Sequence, residues 1–236
     1  MTDILWWLSV PLTVFLFFLL RIINNKVNSN FLKVLTNPVF LTITVTASIL
    51  LAFSLPYSQF NSHSQLLHWL LEPAIVALAL PLYQQFKQVR SQFLLILICC
   101  SAGVINATLI ATLLGALFSV PPQLAASTAA LSVTTPITLL VTDALGGIPS
   151  LGAALVIFIG LLGALFGTML LKALGIFNRQ AQGVAIGTAC HAIGTAAVIN
   201  EDPRIGAFSS VAMALSALLS ALIVPLLYPF LSQALL

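Results

Sequence analysis

Long apolar runs separated by short polar stretches cover almost the whole chain. One crossing of a bilayer core requires ~20 apolar residues, and runs close to or above that length recur along the sequence. We predict eight segments, at residues 5–23, 39–55, 66–86, 93–120, 123–145, 151–174, 180–199 and 206–235. The pattern predicts an all-α polytopic membrane protein with a single transmembrane domain over residues 1–236.

Segment five is rich in hydroxyl side chains and has Pro136 in its middle. A proline in a helix leaves the carbonyl four residues earlier, here Ser132, without its donor, and it pushes the preceding Thr135 away from helical geometry. We therefore predict a break at 133–135 and a second half-helix from Pro136. A proline kink repaired by nearby Ser and Thr side chains is the alternative.

Segment three carries a similar signal at Pro73, which is predicted to begin a half-helix within the protein. The residue before it, Glu72, is ionisable. Deep in the membrane it would be a proton-coupling candidate, whereas near the outer headgroups it would be a solvated end residue. The sequence leaves both interpretations open.

Segment seven is built almost wholly from small residues, and the unit Gly-Thr-Ala occurs at 187–189 and again at 194–196. A seven-residue step returns to nearly the same helix face, which places Thr188, His191 and Thr195 side by side. The glycines predict either a closely packed partner helix or a helix partly unwound beside a cavity. A histidine that is merely hydrogen-bonded across helices is the alternative for His191.

Composition agrees with the membrane class, because 60% of residues are hydrophobic, 6% are charged and the mean hydropathy is +1.14. Soluble domains carry about 25% charge. The net charge of +3 is spread over short loops, so we expect a lipid bilayer and not nucleic acid as the partner. The three cysteines lack metal-ligand spacing, and we expect neither a metal nor a cofactor.

Basic residues predict the topology. Arg21, Lys26 and Lys33 follow segment one, so we expect that loop in the cytoplasm, the N-terminus outside, and a first helix that is retained and not cleaved as a signal peptide. If segment five crossed fully, Lys172 and Arg179 would lie outside.

We therefore predict that segment five is re-entrant, with Arg179 cytoplasmic and residues 201–204 in an outer loop. Segments two to four and six to eight then run in opposite directions. Each trio has an interrupted middle member, which is typical of inverted-repeat transporters.

Five stretches together resemble the LrgB/CidB family: Pro73–Tyr83, Ser132–Ile137, Gly146–Leu151, His191–Ala196 and Gly206–Ser210. The resemblance covers nearly the whole chain. It implies an eight-segment protein of the bacterial inner membrane, often paired with a small LrgA/CidA-like membrane protein. Members were named for control of murein hydrolase activity and lysis, and relatives include the plastid glycolate/glycerate translocator and bacterial pyruvate uptake systems.

Four positions depart from what the resemblance implies. Leu131 and Ala197 stand where the family usually has lysine and arginine, Glu72 where it has glycine, and Cys190 where it has serine. Two positive charges are therefore absent and one negative charge is present, although the prolines and glycines that shape the breaks are retained.

Two functions follow, and neither is enzymatic, because the sequence has no Gly-x-Ser-x-Gly and no second membrane acid to pair with Glu72. One is a proton-coupled carrier for small monocarboxylates of the glycolate, glycerate, pyruvate or lactate type, acting with an LrgA-like partner. The other is a holin/antiholin-like regulator of murein hydrolase activity. A homo-oligomer is compatible with either.

A carrier would hold its substrate where the half-helices at Pro73 and Pro136 meet the stretch 187–195, because helix N-termini attract anions. His191 and Glu72 are the proton-coupling candidates. The predicted substrate-binding residues are Ser132, Thr134, Thr135, Pro136, Gly187, Thr188, His191, Gly194 and Thr195.

Overall fold

The structure is a computed structural model that describes residues 9–27, 38–70, 90–199 and 202–235, together with the single positions 32, 36, 73, 76 and 83. The regular elements of this part are all helices. The chain divides into two compact units, Met1–Ala74 and Ile75–Leu236. Glu72 and most of predicted segment three lie outside the described residues.

In the described part of the first unit, two apolar helices have 15 residues or more. They are followed by two short ones, and the bounds are α1 Ser9–Lys26, α2 Pro38–Ala52, α3 Tyr57–His63 and α4 Gln65–Trp69. Helix α1 packs against α2. In α2 the hydroxyls of Thr42, Thr44 and Ser48 donate to carbonyls four residues earlier, so these polar groups are satisfied within an apolar helix.

The described residues of the second unit run continuously from Arg90 to Ile199, starting with a 3₁₀ turn at Arg90–Gln92, and resume at Asp202. The helices of this part are α5 Phe93–Leu117, α6 Pro122–Thr128, α7 Thr135–Ala144, α8 Pro149–Ala173, α9 Arg179–Ile199 and α10 Pro203–Leu235. Helices α5 and α8 have 25 residues each and α10 has 33, enough to cross a hydrocarbon core of about 30 Å. With 7 and 10 residues, α6 and α7 are too short to cross.

Helices α6 and α7 form a hairpin, which we call the first hairpin, with its tip at residues 129–134. After α7 the chain returns to α6, because the Ile148 amide donates to Ser127 Oγ over 2.7 Å. A cavity of about 480 Å³ is lined by the start of α6, the turn at Gly146 and Tyr228 near the end of α10. Both ends of the first hairpin therefore lie at one end of the unit, as the sequence predicted for segment five.

Helix α9 also folds back on itself, and we call it the second hairpin. Its tip is His191, whose backbone has φ 50° and ψ −140°. A Cβ on Gly183 would lie 2.6 Å from the Ile205 carbonyl oxygen, and one on Gly206 would lie 2.6 Å from Ile199 Cγ1. Positions 183 and 199 of a straight helix would be ~24 Å apart, yet both contact the same step of α10. The chain therefore reverses at His191.

The hairpins enter the unit from opposite ends. Gly183 packs on Phe208 and Gly187 on Ala212, so the first arm of the second hairpin, residues 179–190, runs parallel to α10. Helix α8 runs the other way, since Gly163 faces Cys190 and Gly167, four residues later, faces Ile186.

Helix α5 is also parallel to α10. Cys100 Sγ donates to the Ala212 carbonyl near the start of both helices, and Thr108 and Ser220, further along each, both bond to the tip of the first hairpin. The second hairpin thus enters beside the starts of α5 and α10. We call this the basic end, because it carries Arg90, Lys172, Arg179 and Arg204.

The predicted placement of Arg179 and loop 201–204 on opposite sides is wrong. Arg179 forms an ion pair with Asp202, which closes the base of the second hairpin. Within the described residues, 179–199 form one of four helices that are long and apolar enough to cross a membrane. The reversal at His191 nevertheless brings the chain back to its own entry point, so segment seven is not a crossing helix.

Candidate functional site

The tips of the two hairpins meet inside the second unit. His191 Nε2 lies 3.0 Å from the Leu131 carbonyl oxygen. Because a carbonyl only accepts, this hydrogen bond assigns the proton to Nε2. The tip that precedes Pro136 therefore contacts the glycine-rich stretch, and a substrate site at this contact stays a prediction. The half-helix predicted at Pro73 lies largely outside the described residues.

Every carbonyl from 129 to 132, in the tip of the first hairpin, accepts a side-chain hydrogen bond. The donor–acceptor pairs are Thr108 to Ala129 at 3.1 Å, Thr138 to Ala130 at 3.2 Å, His191 to Leu131 at 3.0 Å and Ser220 to Ser132 at 3.2 Å. The donors come from α5, α7, α9 and α10. Non-helical backbone is tolerated at membrane depth only when its polar groups are satisfied by the protein or by a water-filled cavity. Four helices thus hold this tip in place.

The start of α7 carries unpaired donors. Thr134 is its N-cap, with ψ 149°, and Thr135 and Pro136 form its first turn without a side-chain cap. Thr134 Oγ1 is buried and has no hydrogen-bond partner among the residues described. Free amides at a helix N-terminus attract anions. This turn therefore combines a positive helix end with an uncommitted buried hydroxyl.

A cavity of about 940 Å³ lies between α5 and the first arm of the second hairpin. Gln92, Asn178 and Gln180 line it at the basic end. Ser132 and Thr188 line it at the level of the tips. The lining residues that the structure describes are all uncharged. The cavity therefore connects the basic end with the place where the hairpins meet.

The predicted site residues are distributed around this meeting point. Ser132 and Thr188 line the cavity, and Thr188 Oγ1 also lies 3.4 Å from Cys100 Sγ. Thr135 and Pro136 are half-buried at the start of α7, and Thr134 is buried beside them.

Three other predicted residues pack against α10 or within the second hairpin and do not line the cavity. A Cβ on Gly187 would overlap the Ser209 carbonyl oxygen on α10. Gly194 faces Cys190 and Ile186 within the second hairpin. Thr195 Oγ1 shares a hydrogen bond of 2.7 Å with Ser209 Oγ. These residues hold the hairpin closed and attach it to α10.

Sequence reasoning missed the contribution of α5 to the cavity. Cys99, Gly103 and Asn106 line it from this unbroken helix. A polar residue in the middle of an apolar segment is a usable signal, since polar side chains inside a membrane tend to be functional. Within the described ranges, no three His, Cys, Asp or Glu side chains are grouped as metal ligands.

Comparison with known proteins places the sequence in a family. The model of the LrgB-like family matches residues 13–230, which include both hairpins and the cavity. The chain belongs to the LrgB-like family. An uncharacterized Haemophilus influenzae protein is 33% identical over 94% of each chain, and YwbG of Bacillus subtilis, also uncharacterized, is 33% identical over 92% of this chain and 97% of its own.

A holin-like protein CidB of Staphylococcus epidermidis is 29% identical over 94% of this chain and 96% of its own length. No solved structure matches. Membership in the LrgB-like family, together with the long apolar helices, establishes a multi-pass helical membrane protein.

Proposed function

We propose that this chain is a carrier for small monocarboxylates of the glycolate, glycerate, pyruvate or lactate type, coupled to protons and acting with a small LrgA-like membrane protein. One observation carries the proposal: the cavity from the basic end stops at the meeting point of two hairpins that enter from opposite ends. Its volume of about 940 Å³ falls within the range of small-molecule sites.

The arrangement of crossing helices and hairpins supports a carrier. Broken helices near mid-membrane are typical of binding sites in inverted-repeat transporters. We propose that α5 with the first hairpin and α8 with the second hairpin form the inverted pair, because α5 and α8 run in opposite directions and so do the hairpins that follow them. This pairing replaces the one expected between segments two to four and six to eight.

A carboxylate would be held at the start of α7. A helix N-terminus carries roughly +0.5 charge and is worth 0.3–1 kcal/mol at exposed sites and up to ~2 kcal/mol when partly buried. Thr134 Oγ1 is buried beside it, and Ser132 and Thr188 line the adjoining cavity. These groups would bind one carboxylate without the lysine that Leu131 replaces.

Proton coupling through His191 would take place at Nδ1. The other ring nitrogen already donates to the Leu131 carbonyl, and Nδ1 is buried without a described partner. A second ring proton therefore needs a new acceptor, which a bound carboxylate would supply. His191→Ala should abolish the pH dependence of uptake, whereas uptake that stays equally pH-sensitive would leave Glu72 as the candidate.

The membrane orientation follows from charge. The basic end carries Arg90, Lys172, Arg179 and Arg204, so the positive-inside rule assigns it to the cytoplasm. We propose a bacterial inner-membrane location with the N-terminus outside.

The deciding experiment is counterflow of labelled glycolate, pyruvate or lactate in proteoliposomes, with and without the LrgA-like partner. A carrier should give saturable uptake of the labelled acid that unlabelled substrate inside the proteoliposomes accelerates. If no acid exchanges even with the partner present, the proposal fails.

The alternative is a holin/antiholin-like regulator, which the name of the staphylococcal relatives, holin-like protein CidB, favours. A pore would release a trapped dye much larger than a monocarboxylate, without saturation and without counterflow. Dye release from the same proteoliposomes separates the two functions.

A further inference from the structure

Asn106 is a polar residue near the middle of α5, and it has no role in the tip contacts described above. Its side chain is exposed and lines the cavity. The described residues offer its amide no hydrogen-bond partner. Polar side chains within a membrane segment tend to be functional, and an amide that is exposed in the cavity is accessible to a ligand there.

Asn106 lies level with the hairpin tips. Three residues earlier in α5, a Cβ on Gly103 would lie 2.6 Å from Thr188 Cγ2. Two residues later, Thr108 Oγ1 donates to the Ala129 carbonyl in the tip of the first hairpin. Asn106 is therefore a third polar group at the inner end of the cavity, with Ser132 and Thr188.

We infer that Asn106 is the residue that selects the 2-hydroxy and 2-oxo acids named above over acids without a second oxygen, by pairing with the oxygen on the carbon next to the carboxylate. This inference rests on the proposed carrier function. The amide has N–H groups that donate to a ketone and an oxygen that accepts from a hydroxyl. A carboxylate at the start of α7 would leave the second oxygen free to face α5 across the cavity that Ser132 and Asn106 both line. Propionate has no such oxygen.

The test compares lactate with propionate as competitors. Counterflow of labelled lactate is measured in proteoliposomes that contain the full chain and its LrgA-like partner, and each unlabelled acid is titrated. The parent should need about tenfold more propionate than lactate for half-inhibition. Asn106→Leu, which keeps the branched shape and the number of non-hydrogen atoms and removes the amide, should bring this ratio close to one. Gln92→Leu, which removes an amide at the mouth of the same cavity, should leave the ratio as in the parent.

The propionate-to-lactate ratio distinguishes a loss of specificity from a distorted fold, because a distorted protein loses affinity for both acids together. The inference is overturned if Asn106→Leu keeps the propionate-to-lactate ratio of the parent, or if the parent itself does not distinguish lactate from propionate. Saturable counterflow in either case still supports the carrier function. A parent that exchanges neither acid refutes the proposed function and this inference with it. If Asn106→Leu loses all counterflow, Asn106→Ser decides: a ratio below the parent's supports the inference, and the parent's ratio refutes it.

Discussion

Thr134 shows how a single residue can separate function from stability. Its hydroxyl is buried at the start of α7 without a described partner, whereas the equally buried Thr138 Oγ1 donates to the Ala130 carbonyl over 3.2 Å. An unpaired buried hydroxyl destabilises a fold by ~1–3 kcal/mol, and a paired one contributes ~0.5–1.5 kcal/mol. The two threonines should therefore respond differently to the same substitution.

We predict that Thr134→Val leaves thermal stability unchanged or higher and raises the half-saturating substrate concentration about 5- to 150-fold, because a donor to the carboxylate is lost. Thr138→Val, the matched control, should lower stability by about 1 kcal/mol. Thermal unfolding of the purified protein and counterflow measure the two effects. Parent-like transport by a more stable Thr134→Val protein would remove Thr134 from the site.

At the scale of helices, two glycines of the second unit test how closely the second hairpin packs. A Cβ on Gly187 would overlap the Ser209 carbonyl of α10, whereas a Cβ on Gly167 would meet Ile186 Cγ1 at an ordinary 3.6 Å. Gly187→Ala should destabilise the protein by roughly 1–3 kcal/mol through overpacking. Gly167→Ala should be neutral or up to ~1 kcal/mol stabilising through helix propensity. Equal melting temperatures for the two variants would contradict this packing.

The break in the first hairpin could be predicted from sequence because its cause is local. Pro136 removes a donor wherever it stands, and Thr135 must leave helical geometry before it. The observed second half begins at Thr135, one residue before the predicted start. The donors that satisfy the tip come from distant parts of the chain, such as Thr108 and Ser220, and no local pattern connects them.

The reversal at His191 could not be predicted in the same way. Positive φ is usually a property of glycine, and a histidine that adopts it is held there by tertiary contacts. The glycines at 187 and 194 indicated close packing or unwinding but not a change of direction. From its hydropathy the stretch was predicted to cross the membrane once, and that prediction placed Arg179 and Asp202 on opposite sides.

The second hairpin predicts that residues 179 and 202 are adjacent. In a protein with its native cysteines replaced, Arg179→Cys and Asp202→Cys should form a disulfide on mild oxidation, and each alone should be labelled from the cytoplasmic side. A straight α9 of 21 residues would separate them by ~30 Å, too far for a disulfide. Labelling from opposite sides, with no cross-link, would refute the reversal. The negative control is a pair of cysteines in place of Arg179 and Asp143, which lie at opposite ends of the unit and should not cross-link.

At the scale of the second unit, the cavity combines what the elements provide separately. Two hairpins too short to cross bring helix breaks to mid-depth, and α5 closes the remaining side with Cys99, Gly103 and Asn106. Sequence analysis found the breaks because they are irregular. It missed α5 because the helix is unbroken, and the amide residue in its middle, Asn106, was not used as a signal. The site is therefore a property of the packed unit and not of one motif.

Cys99 allows the whole path to be tested with a native side chain. It is exposed and lines the cavity, whereas Cys100 and Cys190 are buried. A membrane-impermeant thiol reagent should therefore label the protein from the basic end, which we assign to the cytoplasm. Labelling should disappear in Cys99→Ser and persist when the buried cysteines are replaced.

Saturating lactate should slow the labelling of Cys99, because substrate at Ser132 and Thr188 occupies the inner end of the same cavity. A cysteine at Asp143, at the opposite end, should react only from outside. If Cys99 reacts from outside, or at a rate that substrate does not change, the cavity is not the cytoplasmic route to the hairpin tips.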